Sequence, residues 1–367
     1  MKTAKKLDNY FEKGFTALYK TINKIFNKNP MLSQYLLKDL KIKNHIINNR
    51  VVLAPMAGIG HIALRQLISE FGGFGLLFTG MCSAKAVPQE NPDSSLVFKW
   101  RKEELKYLVC QIFGSNPKSM AKAATRIEKE GFFGVDLNFG CSVAAICKQG
   151  CGAALLKEPA LSSNIVKTVR ECVSIPLFIK FRTGWDNNPQ FAVDMAKRFE
   201  DAGADALTFH PRIAPDRRNR PPQWSIIQLV QQAVDIPVFG NGNLFQEQDG
   251  IKMIEQTSCQ GLSVGRMAVA RPWIFAQWTK DFYPQKDIFF TTAIRMTDIL
   301  LEHYGDYFAV KLFKKFAPYF CANFKFGHQI LKKLMPAQTM DEMKHNIDMV
   351  FESSPETLSK PNINLFL

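Results

Sequence analysis

What this chain has least of is uninterrupted apolar sequence. No window approaches the roughly 20 apolar residues of a membrane-spanning helix. The opening Met1-Lys2-Thr3-Ala4-Lys5-Lys6 is followed by Asp8, Asn9, Glu12 and Lys13, which break any secretory core. The expectation is a soluble, cytoplasmic protein without membrane attachment. Acid is also in short supply: 33 acidic residues face 47 Lys and Arg, a net charge of +14. Such a surplus favours a polyanionic partner, nucleic acid or anionic membrane, with a merely solvated basic surface as the plainer alternative. Cysteine is sparse, eight in 367 residues, too thinly spread for a disulfide scaffold and consistent with a reducing compartment. Cys141, Cys147 and Cys151 lie close together but form no C-x2-C pair and have no obvious fourth ligand, so no metal is expected. Apolar residues themselves are not lacking. At 46% they exclude general disorder and suffice for one large α/β domain with an appendage.

Residues 7–26 place Leu7, Tyr10, Phe11, Phe15, Leu18, Tyr19, Ile22, Ile25 and Phe26 at intervals of three and four, which predicts an amphipathic helix. It reads as docked on the main domain or lying on a membrane or RNA surface. From about residue 50 one theme repeats: a short β-type run, a polar or glycine-bearing loop, then a segment of helical period. Strands are predicted at 51–54, 75–79, 107–112, 134–138, 177–180, 206–210, 237–240 and 261–264, and helices at 61–71, 117–130, 160–172, 189–202, 224–233 and 246–256. Eight alternating units fit a (β/α)8 TIM barrel, with a doubly wound sheet as the other arrangement. After residue 282 only helical segments follow, at 291–304, 309–323, 326–334 and 338–352. Lys311, Lys314, Lys315, Lys325, Lys332 and Lys333 are interleaved there with Phe313, Phe316, Tyr319, Phe320, Phe324 and Phe326. That mixture suits phosphate neutralisation with base stacking, or an amphipathic domain whose aromatics are core. The expected organisation is a helical extension at 1–38, a barrel at 39–282 and a smaller all-helical domain at 283–367.

The barrel reading requires functional residues at the C-terminal ends of strands. Val135-Asp136-Leu137-Asn138-Phe139-Gly140-Cys141 ends an apolar run in an amide, a glycine and a thiol, followed by Gly150-Cys151-Gly152. A thiol delivered to the mouth of a site can serve as acid or nucleophile, and nearby glycines let backbone approach a ligand. The other strand ends supply Gln111, Lys180 with Arg182, His210 with Arg212, Asn241 with Asn243, and Arg266. The loops Gly240-Asn241-Gly242-Asn243 and Val264-Gly265-Arg266 would follow strands seven and eight, where barrels of this type hold phosphate on backbone N–H groups.

Taken in order, these pieces, together with Ala54-Pro55-Met56-Ala57-Gly58, Gln111-Ile112-Phe113-Gly114, Lys180-Phe181-Arg182-Thr183-Gly184-Trp185 and His210-Pro211-Arg212, resemble the tRNA-dihydrouridine synthases. The resemblance implies an FMN-bearing barrel that reduces a uracil base in tRNA to 5,6-dihydrouridine, with NADPH as reductant and the helical tail as RNA-binding domain. By resemblance, hydride goes to carbon 6 and Cys141 supplies the proton at carbon 5. Pro55, Met56 and Ala57 would line the flavin ring. Gln111 and Lys180 would meet its polar edge, and His210 would contact the cofactor. Asn241, Gly242, Asn243, Gly265 and Arg266 would hold its phosphate, while Asn138 and Arg182 would orient the uracil. RNA, most simply tRNA, is the implied partner, and no obligate protein partner is inferred. The chain departs from the family pattern at Gly60-His61, where Thr-Asp is common, at Gly80 in place of an acid, at Ser142 in place of Pro, and at Asn243 in place of Asp. Two other readings remain open at this point: a flavin oxidoreductase of a free pyrimidine or small enone, and an RNA-binding homologue without catalysis.

Overall fold

In the computed structural model, residues 30–216 and 220–366 are described. The predicted helix at 7–26 lies outside them. Eight short apolar segments form the strands of the barrel: β1 (Val51–Leu53), β2 (Leu77–Phe78), β3 (Leu108–Phe113), β4 (Gly134–Phe139), β5 (Leu177–Gly184), β6 (Ala206–Ile213), β7 (Val238–Asn241) and β8 (Gly261–Val264). They pair in parallel in the order β1-β8-β7-β6-β5-β4-β3-β2. The ring closes through two backbone hydrogen bonds, Gly75 N–H to the Val51 carbonyl at 2.8 Å and Leu53 N–H to the Leu76 carbonyl at 3.0 Å. Strands covered on both faces need continuous apolar runs, and every residue of β4 is buried. All eight strands are therefore where the sequence places them. β5 and β6 run three or four residues further than expected, with Arg182 opposite His210 and Gly184 opposite Ile213, because the pairing continues past a register shift.

The helices between strands also match, among them Pro117–Lys129, Pro159–Cys172, Pro189–Asp201 and Glu247–Thr257. Asn116 caps the first of these, accepting the Ser119 N–H at 2.9 Å. Several short elements were not legible, among them the strand Cys82–Ser83 and the helices Arg266–Ala270 and Ile274–Thr279, and a further one underlies the barrel. An antiparallel hairpin of Leu40–Ile42 and His45–Ile47 closes the N-terminal end of the barrel, and its Leu40, Ile42 and Ile47 pack in one cluster with Val52, Phe78, Phe178 and Phe239.

The tail consists of Ile288–Cys321, interrupted by the non-helical Gly305, then Gly327–Leu334 and Met340–Glu352. A single hydrophobic cluster runs from the barrel helices into it. Trp273 meets Phe289 at 5.1 Å, and Phe289 meets Phe324 at 5.2 Å. Buried Asn323 accepts from Arg271 Nε at 2.8 Å and donates to the Ala270 carbonyl at 2.8 Å. Phe313, Phe316, Tyr319, Phe320 and Phe324 are thus core, which removes the stacking alternative for them; of the six tail aromatics singled out, Phe326 alone is exposed. No helix among the described residues is long and apolar enough to cross a membrane.

Candidate active site

The C-terminal strand ends surround one cavity. Pro55 and Met56 line it after β1, Lys180 and Arg182 from β5, and His210 and Arg212 from β6. Asn241, Gly242 and Asn243 follow from β7, and Gly265 and Arg266 from β8. Among the described residues that line it, none is acidic. Four cations, Arg182, Lys180, Arg212 and Arg266, bear on His210, and burial first, then these charges, hold its imidazole well below the usual histidine range. His210 is accordingly neutral, and its buried Nε2 has no protein partner. Arg182 Nη1 and Ser263 Oγ are likewise buried without a partner. Orphaned polar atoms in an electropositive cavity are a site for something polar and anionic.

The glycines fit that use. Gly242 has φ 116°, and a Cβ there would stand 2.8 Å from the His210 ring. A Cβ on Gly265 would stand 3.0 Å from Met56 Sδ. Bare backbone is therefore what these two loops can present to a ligand. Asn243 Oδ1 accepts from Arg212 Nη2 at 3.3 Å and from Arg266 Nη2 at 3.1 Å. Arg266 also lies over the Phe245 ring at 5.1 Å, a cation–π contact that helps hold its guanidinium at the cavity wall.

The remaining sequence-predicted residues stand beside the cavity and do not line it. Ala57 is exposed in the turn after β1. Gln111 and Asn138 are buried and joined, Asn138 Nδ2 donating to Gln111 Oε1 at 2.9 Å. Asn138 Nδ2 also meets Met81 Sδ at 3.0 Å, and its Oδ1 accepts the N–H groups of Gly140 and Cys141 at 3.1 and 2.9 Å. Protein groups thus take up its amide, which holds the turn that carries Cys141. Half-buried Cys141 is steadied by Ala153 N–H on its carbonyl at 2.8 Å. Arg182 ties this turn to the cavity wall, its Nε donating to the Gly140 carbonyl at 2.5 Å. Lys180 is pushed below the ordinary lysine value by burial and then by Arg182, with Asp136 and Cys141 opposing. Among the described residues, no group of three His, Cys, Asp or Glu could hold a metal ion.

A family model described as dihydrouridine synthase matches residues 52–354. The chain belongs to the dihydrouridine synthase family. Its relatives include tRNA-dihydrouridine synthase B of Pseudomonas aeruginosa, 32% identical over 77% of this chain and 87% of that protein. Another is a probable tRNA-dihydrouridine synthase 1 of Synechocystis, 29% identical over 86% of this chain and 90% of that protein. Among solved structures, the old yellow enzyme from Trypanosoma cruzi has the same barrel fold, with a TM-score of 0.51 and 12% identity over 73% of this chain and 98% of that one. This chain is therefore an enzyme of the dihydrouridine synthase family on a TIM barrel.

Reading strand ends alone left Ser263 and Asp136 unnoticed. Arg212 was noticed without a role. Period-two alternation was the available signal for the last two, since Arg212 shares a strand face with His210, and Asp136 with Asn138.

Proposed function

We propose that this protein reduces uridine to 5,6-dihydrouridine in tRNA in the cytoplasm, with FMN as resident cofactor and NADPH as reductant. The observation that carries the reading is the acid-free, four-cation cavity whose wall is tied by Arg182 to the Cys141 turn. A flavin phosphate suits Arg266, Asn243 and the backbone of Gly242 and Gly265, and orphaned His210 Nε2 and Ser263 Oγ suit the polar groups of the same cofactor. When bound, the reduced flavin supplies hydride to carbon 6 of the uracil, and NADPH restores it.

The residues of this chain do the rest. Pro55 and Met56 would supply the apolar side of the ring's site, with exposed Ala57 in the turn beside them. Lys180 would place its positive charge beside a reduced, anionic flavin, a charge-stabilising role of the kind that low-dielectric sites amplify. Cys141 holds at Sγ the proton that carbon 5 takes up, and water returns a proton to the thiolate afterwards. Gln111, whose amide is taken up by Asp136 and Asn138, braces Asn138 from β3, Asn138 fixes the thiol's turn, and Arg182 would reach toward the base from the cavity wall. A uridine reaches such a pocket only unstacked, so the RNA must be gripped on its phosphates around the mouth.

The test is the visible spectrum of the purified protein before and after anaerobic NADPH. A yellow protein that bleaches, and recovers its colour with tRNA but not with free uridine, supports the reading. A colourless protein that takes up no added FMN overturns it. In the same assay Cys141→Ala is expected to keep the flavin and to lose about 100-fold or more of the RNA-dependent reoxidation rate; an unchanged single-turnover rate would remove the acid role.

A further inference from the structure

Asp136 has no part in the chemistry above, yet it is fully buried in the middle of β4. Its Oδ2 accepts from Gln111 Nε2 at 2.6 Å, while its Oδ1 has no partner. Burial raises its carboxyl above the ordinary aspartate range, with Gln111 and Lys180 acting against that rise. A buried carboxylate in a barrel interior is expensive, so a compensating role is expected of it.

We infer that Asp136 is a positioning residue for the Cys141 thiol, acting through the side-chain amides of Gln111 and Asn138. The chain of bonds runs from Asp136 Oδ2 to Gln111 Nε2, from Gln111 Oε1 to Asn138 Nδ2 at 2.9 Å, and from Asn138 Oδ1 to the N–H groups of Gly140 and Cys141. Each amide has an oxygen end and a nitrogen end, and either can face a neighbour. Ionised, the form that the Gln111 N–H and the Lys180 charge favour, the Asp136 carboxylate only accepts, so it fixes the nitrogen of Gln111 toward itself and the oxygen toward Asn138. Backbone N–H groups only donate, so they fix the oxygen of Asn138 toward the thiol's turn. Both ends of the relay demand the same polarity, and the two amides between them are locked. The Gln111 backbone N–H is held as well, by Thr79 Oγ1 at 3.0 Å. The relay joins β3 to β4, across the register in which Gln111 lies opposite Asp136.

The inference deepens the proposed role of Cys141, and its test is run on the protein as purified with a readout that needs no flavin turnover and no RNA. Iodoacetamide alkylation of Cys141, followed by peptide mass spectrometry, reports how firmly the turn holds the thiol. Asp136→Val is expected to speed alkylation about tenfold, the equivalent of one lost hydrogen bond. Asp136→Asn keeps an acceptor for Gln111 Nε2 and is expected to stay within about threefold of the parent, a rescue that loss of packing alone would not show. Gln111→Leu breaks the relay one link further on and is expected to match Asp136→Val, which keeps the test decisive where the valine variant does not fold. An unchanged alkylation rate in folded Asp136→Val or in Gln111→Leu overturns the relay, as does Asp136→Asn behaving like the valine variant. In holoprotein, Asp136→Val is then expected to slow RNA-dependent reoxidation and to leave NADPH bleaching unaltered. Failure of the flavin reading would show separately, as protein that binds no FMN whatever its alkylation rate.

Discussion

Asn243 has φ 56°, a left-handed backbone that asparagine tolerates better than most residues, and it offers one neutral oxygen to two guanidiniums. An aspartate there would neutralise part of the charge that Arg212 and Arg266 direct into the cavity. Asn243→Asp is therefore expected to weaken FMN binding about tenfold and to leave riboflavin, which has no phosphate, almost unaffected; flavin fluorescence titration measures both. Equal losses for the two ligands would place the phosphate elsewhere. Several residues that end or directly follow a strand were legible as cavity lining, whereas Gln111 and Asn138 stand behind it and Ser263 was missed. Lys180, His210, Asn241 and Arg266 are found in the wall of one cavity because a barrel delivers all its strand ends to one mouth. For Asp136 the alternation gives only a shared face with Asn138, and its partner is known only once the β3 to β4 register sets Gln111 opposite it. Asn138 was legible as important, but the direction of its amide was not.

The helix Ile62–Phe71 begins at His61, whose Nδ1 accepts the Leu64 N–H at 3.3 Å, so an imidazole takes the capping role at the position that departs from the family pattern. Burial first, then Arg65 and Lys315, lower His61 to about 3. The unfolded chain therefore binds a proton that the folded chain refuses, and the stability His61 contributes is complete above the ordinary histidine pKa and is lost as pH falls toward 3. Between about pH 7.5 and pH 5 the loss amounts to roughly 2 kcal/mol. His61→Asn keeps a cap without the titration, so its urea midpoint is expected to fall less than the parent's over that range. Parallel slopes would show that other groups set the acid sensitivity. At Gly305, φ is 65° and a Cβ would meet nothing within 4 Å. Gly305→Ala is thus expected to lower stability by about 1–3 kcal/mol through backbone strain alone, measured by thermal unfolding. The long strands and helices were readable because their periods persist over many residues. The hairpin of three-residue strands near residue 43 gives no period to detect, and only its packing under the barrel reveals it.

At the scale of the whole molecule, the tail's aromatics and the barrel helices share one core, so deleting the tail would expose apolar barrel surface. A test of RNA binding should therefore alter its surface and leave its length alone. Lys311 lies 3.8 Å from the centre of the exposed Tyr307 ring, and Lys315 Nζ lies 3.7 Å from where a Cβ on Gly58 would stand, beside the cavity mouth. The double variant Lys311→Ala, Lys315→Ala is expected to weaken tRNA binding about tenfold or more and to flatten its salt dependence by about one or two units of slope, with NADPH bleaching unchanged. Filter binding across a salt series reads both quantities, and an unaltered slope would remove these lysines from the contact. The seam between β1 and β2 has a consequence for motion. Adjacent barrel strands elsewhere are joined by a paired register, but here two backbone hydrogen bonds close the ring, and a Cβ on Gly75 would stand 1.9 Å from the Asn49 carbonyl oxygen. Sub-global opening should begin at so thin a joint, so the amides of Leu53 and Gly75 should exchange with deuterium ahead of those in β4 and β5. Because β1 leads directly into Pro55 and Met56, whatever occupies the cavity also clamps the seam, and loading the site should slow exchange at those two amides.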